Sequence, residues 1–301
     1  MLDSTKKFLK RVAENRSIEH LCLDGFTRQE ESFKILVPYF EQNCNMRSIE
    51  ILSTNLTRIP EFFSVIFHSD IIRIERISLS HCATSSNSWV IRDILRALKC
   101  MPGLGYQSDL SLEGNQIGRG VSIELSDLLK TNAARLQVLR LSESDMGDLS
   151  VVHLISGLMH NKTIRVLKLA GLCYTTPKWW QTFSEYLSDP SCTVEVLDLS
   201  RNNIGDEGSV ALGDAMAINK KLTLKSLNLN QSRSVTSTGW HGLSIGLQTL
   251  AIEELHLRET DIDDDGVIAI VSALNSPFLT SLDMGRSPCI TSRGWIRCFR
   301  C

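Results

Sequence analysis

The chain has 301 residues, with 32 Lys and Arg against 34 Asp and Glu, 43% hydrophobic residues and seven prolines. That balance excludes a disordered or collagen-like chain, and a formal net charge of −2 removes the simplest electrostatic case for nucleic acid or an anionic membrane as partner. Leucine is in excess, at 41 positions, yet no apolar run approaches the roughly 18 residues that a membrane-spanning helix needs.

The segment 1–16 reads as a short amphipathic helix. Leu2, Phe8, Leu9 and Val12 fall near one side and Ser4 stands where an N-cap would. Charges interrupt this segment every few residues, so it has no apolar core of a signal peptide. Its basic residues, Lys6, Lys7, Lys10, Arg11 and Arg16, read as a solvated face. Nine cysteines without a secretory leader predict reduced thiols and an intracellular, cytoplasmic chain, with the nucleus equally compatible.

From residue 18 onward a repeat dominates. Ile18-x-x-Leu21-x-Leu23 recurs around Ile49, Ile77, Leu110, Leu139, Leu167, Leu197, Leu227, Leu255 and Leu282. The ten copies are spaced by 27 to 33 residues and average 29. The alternating apolar positions predict a strand of about four residues, followed by a turn and a helical segment such as Ser209 to Ile218. The longest step contains Met101-Pro102-Gly103-Leu104-Gly105-Tyr106, which fits a longer helix-to-strand loop. Length alone suggests about two domains, but the repeat predicts a single domain over residues 1–301, grown by addition.

The stretch Val194-Glu195-Val196-Leu197-Asp198-Leu199-Ser200-Arg201-Asn202-Asn203-Ile204-Gly205-Asp206-Glu207-Gly208 resembles the ribonuclease-inhibitor subtype of leucine-rich repeat. The resemblance covers nearly the whole chain. It implies an α/β leucine-rich-repeat solenoid, a right-handed horseshoe with an inner parallel β-sheet and outer α-helices, made of about ten repeats.

A near-constant offset of about a dozen positions leads from the middle apolar residues to Phe33, Phe62, Trp89, Val151, Trp179, Trp240, Val267 and Trp295. Four of the five tryptophans therefore share one repeat position, where their rings are expected to fill the space between helix and sheet. Trp180 falls outside that register, and reads either as an exposed interface anchor or as packing against the next helix.

Three local motifs suggest chemistry and each has a plainer reading. Asp261-Ile262-Asp263-Asp264-Asp265-Gly266 opens like a calcium loop, but Ser272 stands where the bidentate Glu is needed. The acids are expected at a helix N-terminus, which favours them. Gly114 to Gly120 lacks the Lys-Ser/Thr of a phosphate loop and reads as a strand-to-helix turn. Cys298-x-x-Cys301 has no second pair to complete a zinc site. The seven histidines form no grouping with Ser, Cys or Asp, so no catalytic site, cofactor or metal is expected and the chain reads as non-catalytic.

In such a solenoid the residues between the leucines face a long concave surface. There Val138, Val166 and Val196 form a row of apolar residues, beside Arg140, Lys168 and Asp198, with Arg201 just past the strand. An apolar centre rimmed by charge is the anatomy of a protein-binding patch. These seven residues are the expected partner-binding site, and the expected partner is another protein, with no nucleic acid and no membrane.

Two alternatives accompany that reading. One is a GTPase-activating protein resembling the Ran activator, for which Arg58, after the second strand, is the residue in the right place. The other is the sensing part of a larger receptor. The tenth repeat reaches Cys301 shortly after Trp295, early in its helix and without a polar capping segment. Since solenoids normally seal their ends, the uncapped repeat predicts either a longer protein or end-to-end association with another chain.

Overall fold

The computed structural model describes residues 7, 10–12, 14–15, 17–25, 45–54, 56, 74–84, 87–99, 108–131, 135–274 and 277–298. The expected N-cap Ser4, the loop Met101–Tyr106, Phe33, Phe62, Arg58 and Cys301 lie outside them. Of the expected N-terminal helix, Lys7, Lys10 to Val12 and Glu14 are helical, and Val12 is buried. The chain divides into two compact units, Met1–Leu141 and Ser142–Cys301.

The first unit contains β1 (His20–Asp24), β2 (Ser48–Leu52), β3 (Arg76–Ser80), β4 (Asp109–Ser111) and β5 (Val138–Arg140), with helices Trp89–Leu98 and Arg119–Lys130 after β3 and β4. Neighbouring strands are parallel, and the register places Leu21, Ile49, Ile77, Leu110 and Leu139 side by side. The second unit opens with helix Asp148–His160. It continues through β6 (Val166–Lys168), β7 (Val196–Asp198), β8 (Ser226–Asn228), β9 (Glu254–His256) and β10 (Ser281–Asp283). The helices after these strands are Pro177–Ser188, Gly205–Ile218, Ser237–Leu247, Asp264–Ala273 and Ser292–Cys298. Its strands are again parallel and in register, through Leu167, Leu197, Leu227, Leu255 and Leu282. All ten sequence copies thus carry their middle apolar residue in a strand.

The leucines explain why the pattern folds this way. Leu167, Leu169, Leu197, Leu199, Leu255 and Leu257 are all 0% exposed, locked between the sheet and the helices. Each contributes about 1.5–3 kcal/mol of transfer free energy. Polar groups left in that interior are paired. The buried Asn202 amide donates to the carbonyls of Leu169 at 2.8 Å and Leu199 at 2.9 Å, and its oxygen accepts the Leu172 N–H at 2.8 Å. Asn115 does the same in the first unit, accepting from the N–H groups of Cys82 and Ala83 at 2.8 and 2.7 Å. One side chain thereby satisfies backbone groups of two successive turns.

Four positions past each middle apolar residue the backbone turns left-handed. Gly25, Gly114 and Gly171 occupy this position in three repeats, and Ser53, His81, Glu143, Arg201, Gln231, Glu259 and Arg286 in the other seven. The sharp reversal releases the chain from the strand toward its helix. Helix starts then follow local chemistry. Thr176 accepts from the Trp179 N–H at 3.2 Å ahead of Pro177, whose missing donor is harmless there. The helix expected from Ser209 begins at Gly205 instead, and its first turn takes in Asp206 and Glu207.

Candidate functional site

The open face of the second unit's sheet is built by residues that alternate with the leucines. Val166 and Val196 are direct cross-strand neighbours, as are Lys168 and Asp198. All four are half-buried, whereas Leu167 and Leu197 between them are fully buried. The two valines thus present apolar surface beside an amine and a carboxylate. Asp198 also shapes its own turn, since its Oδ1 accepts the Ser200 N–H at 3.0 Å. Asn228 and Asp283 repeat that contact with Asn230 and Gly285 at 3.0 and 2.9 Å.

Arg201 stands at the left-handed position just beyond β7, and its Nη2 meets Glu143 Oε1 at 2.7 Å. The pair passes over Gly171, which carries no side chain to interrupt it. Arg201 is 49% exposed, so this contact leaves much of its guanidinium in solvent.

In the first unit Val138 is half-buried and lies opposite Asp109. Arg140 is turned onto that same carboxylate, Nη2 to Oδ2 at 2.9 Å and Nε to Oδ1 at 3.2 Å. Arg76 adds a third contact, Nε to Oδ2 at 3.0 Å. Asp109 is 4% exposed, so two guanidinium groups neutralise a nearly buried charge on the sheet face. The hydrogen bond that Arg140 donates to Asp109 raises the Arg140 pKa further, which fixes its charge.

Two separated segments, residues 191–213 and 252–271, match a family model described as Leucine Rich repeat. Both coincide with strand, left-handed turn and helix of this fold. The chain carries leucine-rich repeats. It is 25% identical over 231 residues to NACHT, LRR and PYD domains-containing protein 5 of Mus musculus, a match covering 76% of this chain and 17% of that one. It is 25% identical over 289 residues to Protein NLRC5 of Ictalurus punctatus, covering 91% and 16%. NACHT, LRR and PYD domains-containing protein 14 of Homo sapiens is also 25% identical, over 296 residues, covering 95% and 26%. The matches thus span between 16% and 26% of these relatives. A solved structure of the yeast Rad7 and Elc1 complex aligns with 98% of this chain and 79% of its own, at a TM-score of 0.48 and 16% identity.

The repeat architecture absorbs the motifs that suggested other chemistry. In the leucine-rich-repeat chain Asp263 caps its own helix, accepting the Gly266 N–H at 2.8 Å, while Asp264 receives the backbone N–H and hydroxyl of Thr291 at 2.7 and 2.5 Å. Gly114 is a left-handed turn residue and Gly118 precedes helix Arg119–Lys130. Among the described residues no three or more His, Cys, Asp or Glu side chains are grouped to hold a metal, and no helix is long and apolar enough to cross a membrane. The side chains of Cys298 and Cys301 lie outside the described residues, as does Arg58.

The tryptophans need a correction. Trp179 and Trp240 are 0% exposed, as their shared repeat position predicts, but Trp89 is 47% and Trp295 37% exposed. On the first of these helices Val90, Ile91 and Ile94 form the buried stripe, which rotates Trp89 outward. Trp295 sits on the final described helix, packed against helix Asp264–Ala273. Trp180 is no exposed anchor: it is 0% exposed, donates to the Asn203 carbonyl at 3.2 Å and packs edge-on to Trp179 with centroids 4.7 Å apart.

Sequence reasoning missed the carboxylate of Asp109 as a clamp and the left-handed row as a surface. The first was accessible in part: Arg76 and Asp109 share a repeat position on adjoining strands, whereas Arg140 stands opposite Ser111 and reaches the carboxylate diagonally. The second had a weaker signal: glycine recurs at Gly25, Gly114 and Gly171, at one fixed offset past the middle apolar residue.

Proposed function

We propose that this chain is a non-catalytic protein-interaction module that binds its partner through the open face of the sheet. The observation that carries the reading is the cross-strand pair Val166 and Val196, left without a covering helix and flanked by Lys168, Asp198 and Arg201. Apolar area supplies affinity and the surrounding charges supply orientation. Val138 and Arg140 present the same residue types on the first unit. The general association of leucine-rich repeats with protein binding, and the similarity to LRR-containing relatives, support this function over catalysis.

The test is capture of a partner from the source organism by the wild-type chain and by the variants Val166→Glu and Lys168→Glu. Loss of the captured protein from both variants, with the fold intact by circular dichroism, is the expected result. Undiminished capture by both would sink the site. Arg140 is a poor choice for charge reversal, because a carboxylate there would face Asp109 and disturb the sheet.

A second reading is that the module is the sensing part of a larger receptor. It is supported by the similarity to proteins whose names carry NACHT and PYD domains besides the repeats. Sequencing the transcript on both sides of this region tests it: an adjoining nucleotide-binding segment is expected, and its absence would remove the reading.

A further inference from the structure

The left-handed row of the second unit carries a charge arrangement that the turn itself does not require. At this position an L-residue pays a steric penalty that glycine avoids, and the chain uses glycine there at Gly171. Yet the next four repeats place Arg201, Gln231, Glu259 and Arg286 at it. Strained positions held by large polar side chains are a reason to look for a surface role.

Glu259 is the centre of the arrangement. Its carboxylate receives Arg286 Nη1 at 3.2 Å and Gln231 Nε2 at 3.1 Å, with Arg258 Nε at 3.7 Å and Arg233 Nη2 at 3.8 Å. Three guanidinium groups therefore converge on one carboxylate. Glu259 is 21% exposed, but Arg286, Arg233 and Arg258 are 70%, 65% and 43% exposed. Within this cluster three exposed guanidinium groups exceed the single carboxylate they surround by two charges. Further along this edge Arg201 meets Glu143, again with its guanidinium half in solvent. The row lies where strands run into helix N-termini, whose dipoles add to the positive potential. Of the neighbouring acids, Asp263, Asp264 and Asp283 hold backbone amides of their own or the following turn, and Asp261, two residues past Glu259, is exposed.

We infer that this edge docks an acidic segment of the partner protein, whose carboxylates insert among Arg201, Arg233, Arg258 and Arg286 and share them with Glu143 and Glu259. The inference rests on the interface reading above and adds the chemistry of what is bound. Carboxylates fit because guanidinium forks pair with them in two-bonded geometry, and because the bound acid neutralises an excess that is already present. Nucleic acid is the less suitable anion: the four arginines have no aromatic residue interleaved at the left-handed positions for base stacking.

The probe is a fluorescent peptide of ten glutamates, titrated by anisotropy against the full chain. Wild type is expected to bind it and to weaken as salt rises from about 0.05 to 0.5 M, since exposed charge pairs are screened over that range. The double variant Arg233→Gln and Arg286→Gly is expected to lose about tenfold or more in affinity, the scale set by removing two exposed cations from a carboxylate site. Glycine relieves the left-handed backbone at position 286, so the melting temperature of the variant should hold or rise, which separates lost binding from lost folding. Equal binding by the variant, or tighter binding of single-stranded oligothymidylate than of the peptide, overturns the inference. The two readings fail separately. Partner capture lost in Val166→Glu but unchanged in the arginine variant overturns the acidic segment alone, whereas capture lost only in the arginine variant supports it and overturns the valine pair.

Discussion

Asp206 holds Thr236 by two atoms: Oδ1 accepts the Thr236 backbone N–H at 2.7 Å and Oδ2 accepts its hydroxyl at 2.6 Å. The acid belongs to the first turn of one helix and the threonine caps the next, one repeat further on. Asp264 and Thr291 repeat both bonds, and Asp148 and Thr176 repeat the hydroxyl contact at 2.7 Å. Three of the five adjoining pairs of described helices in the second unit are therefore clasped at their N-termini. Thr236→Val removes the hydroxyl bond of one clasp, leaving the backbone bond, together with a helix cap, and should destabilise the unit by about 1–2 kcal/mol. Urea unfolding measures this; a variant with an unchanged midpoint would show that the clasp is inert.

Acid should loosen the same contacts. The Thr291 hydroxyl and then its backbone N–H hold Asp264 below the usual carboxylate range. Lys99, by its hydrogen bond at 2.5 Å, and Arg96 lower Glu124 likewise in the first unit. A carboxylate with a depressed folded-state pKa stabilises above its unfolded pKa, and that contribution disappears as pH falls through the folded value. Stability should therefore be flat near neutrality and decline below the ordinary carboxylate pKa, about pH 4. Asp264→Asn should flatten part of this decline in urea midpoints recorded against pH, and a parallel curve would refute its share.

Helices Gly205–Ile218 and Ser237–Leu247 approach through glycine. A Cβ at Gly213 would lie 2.1 Å from the Gly242 carbonyl oxygen, and one at Gly246 would lie 2.5 Å from the Gly213 oxygen. The obstacle in both cases is backbone, which cannot rotate aside. Gly213→Ala gains about 1 kcal/mol of helix propensity but forces the helices apart, and the overpacking cost of about 1–3 kcal/mol should prevail. Gly147 has open space around its Cβ and caps helix Asp148–His160 without a side-chain bond. Gly147→Ser should be neutral or stabilising by up to about 1 kcal/mol. Thermal melts of the two variants should move in opposite directions.

The thiols should resist alkylation in a defined order. Burial pushes the Cys82 thiol up to about 11, and its Sγ donates to the carbonyls of Ile51 and Ser80, both at 3.3 Å. Burial also raises Cys192. Cys22 is raised by partial burial and then by its cross-strand neighbour Glu50, and Cys173 by partial burial and then by Asp145. The thiolate is the reacting form. Iodoacetamide at about pH 8, below the usual thiol pKa, should spare Cys82 and Cys192 in the folded chain and modify Cys22 and Cys173 more slowly than free cysteine. Mass spectrometry with time decides it, and rapid modification of Cys82 in a chain that stays folded would count against this burial.

The strands and their register were legible in the sequence because the repeat places one apolar residue per copy at the same depth, and depth is what an apolar side chain reports. Val166 and Val196 emerged as neighbours for the same reason: equal offsets from Leu167 and Leu197 mean adjoining places on adjoining strands. Side-chain direction was less legible. Trp89 and Trp179 share an offset, yet one helix starts at Trp89 itself and the other at Pro177, ahead of Trp179, so the same count meets different helical phases. Hydrogen-bond partners were the least legible, because Asp206 and Thr236 belong to different repeats and each reads locally as an ordinary helix-start residue.

The left-handed row has a pitch. Neighbouring strands stand about 4.8 Å apart, so Arg201, Gln231, Glu259 and Arg286 form a ruler whose marks recur at that interval. An extended peptide lying along it offers same-side residues about 6.6 Å apart and falls out of step after one or two marks. The turns of an α-helix recur about every 5.4 Å and stay in step longer. The cationic marks of this ruler are its outer two, Arg201 and Arg286, so an acidic ligand docked as inferred would carry its acids at that wider interval rather than at every mark.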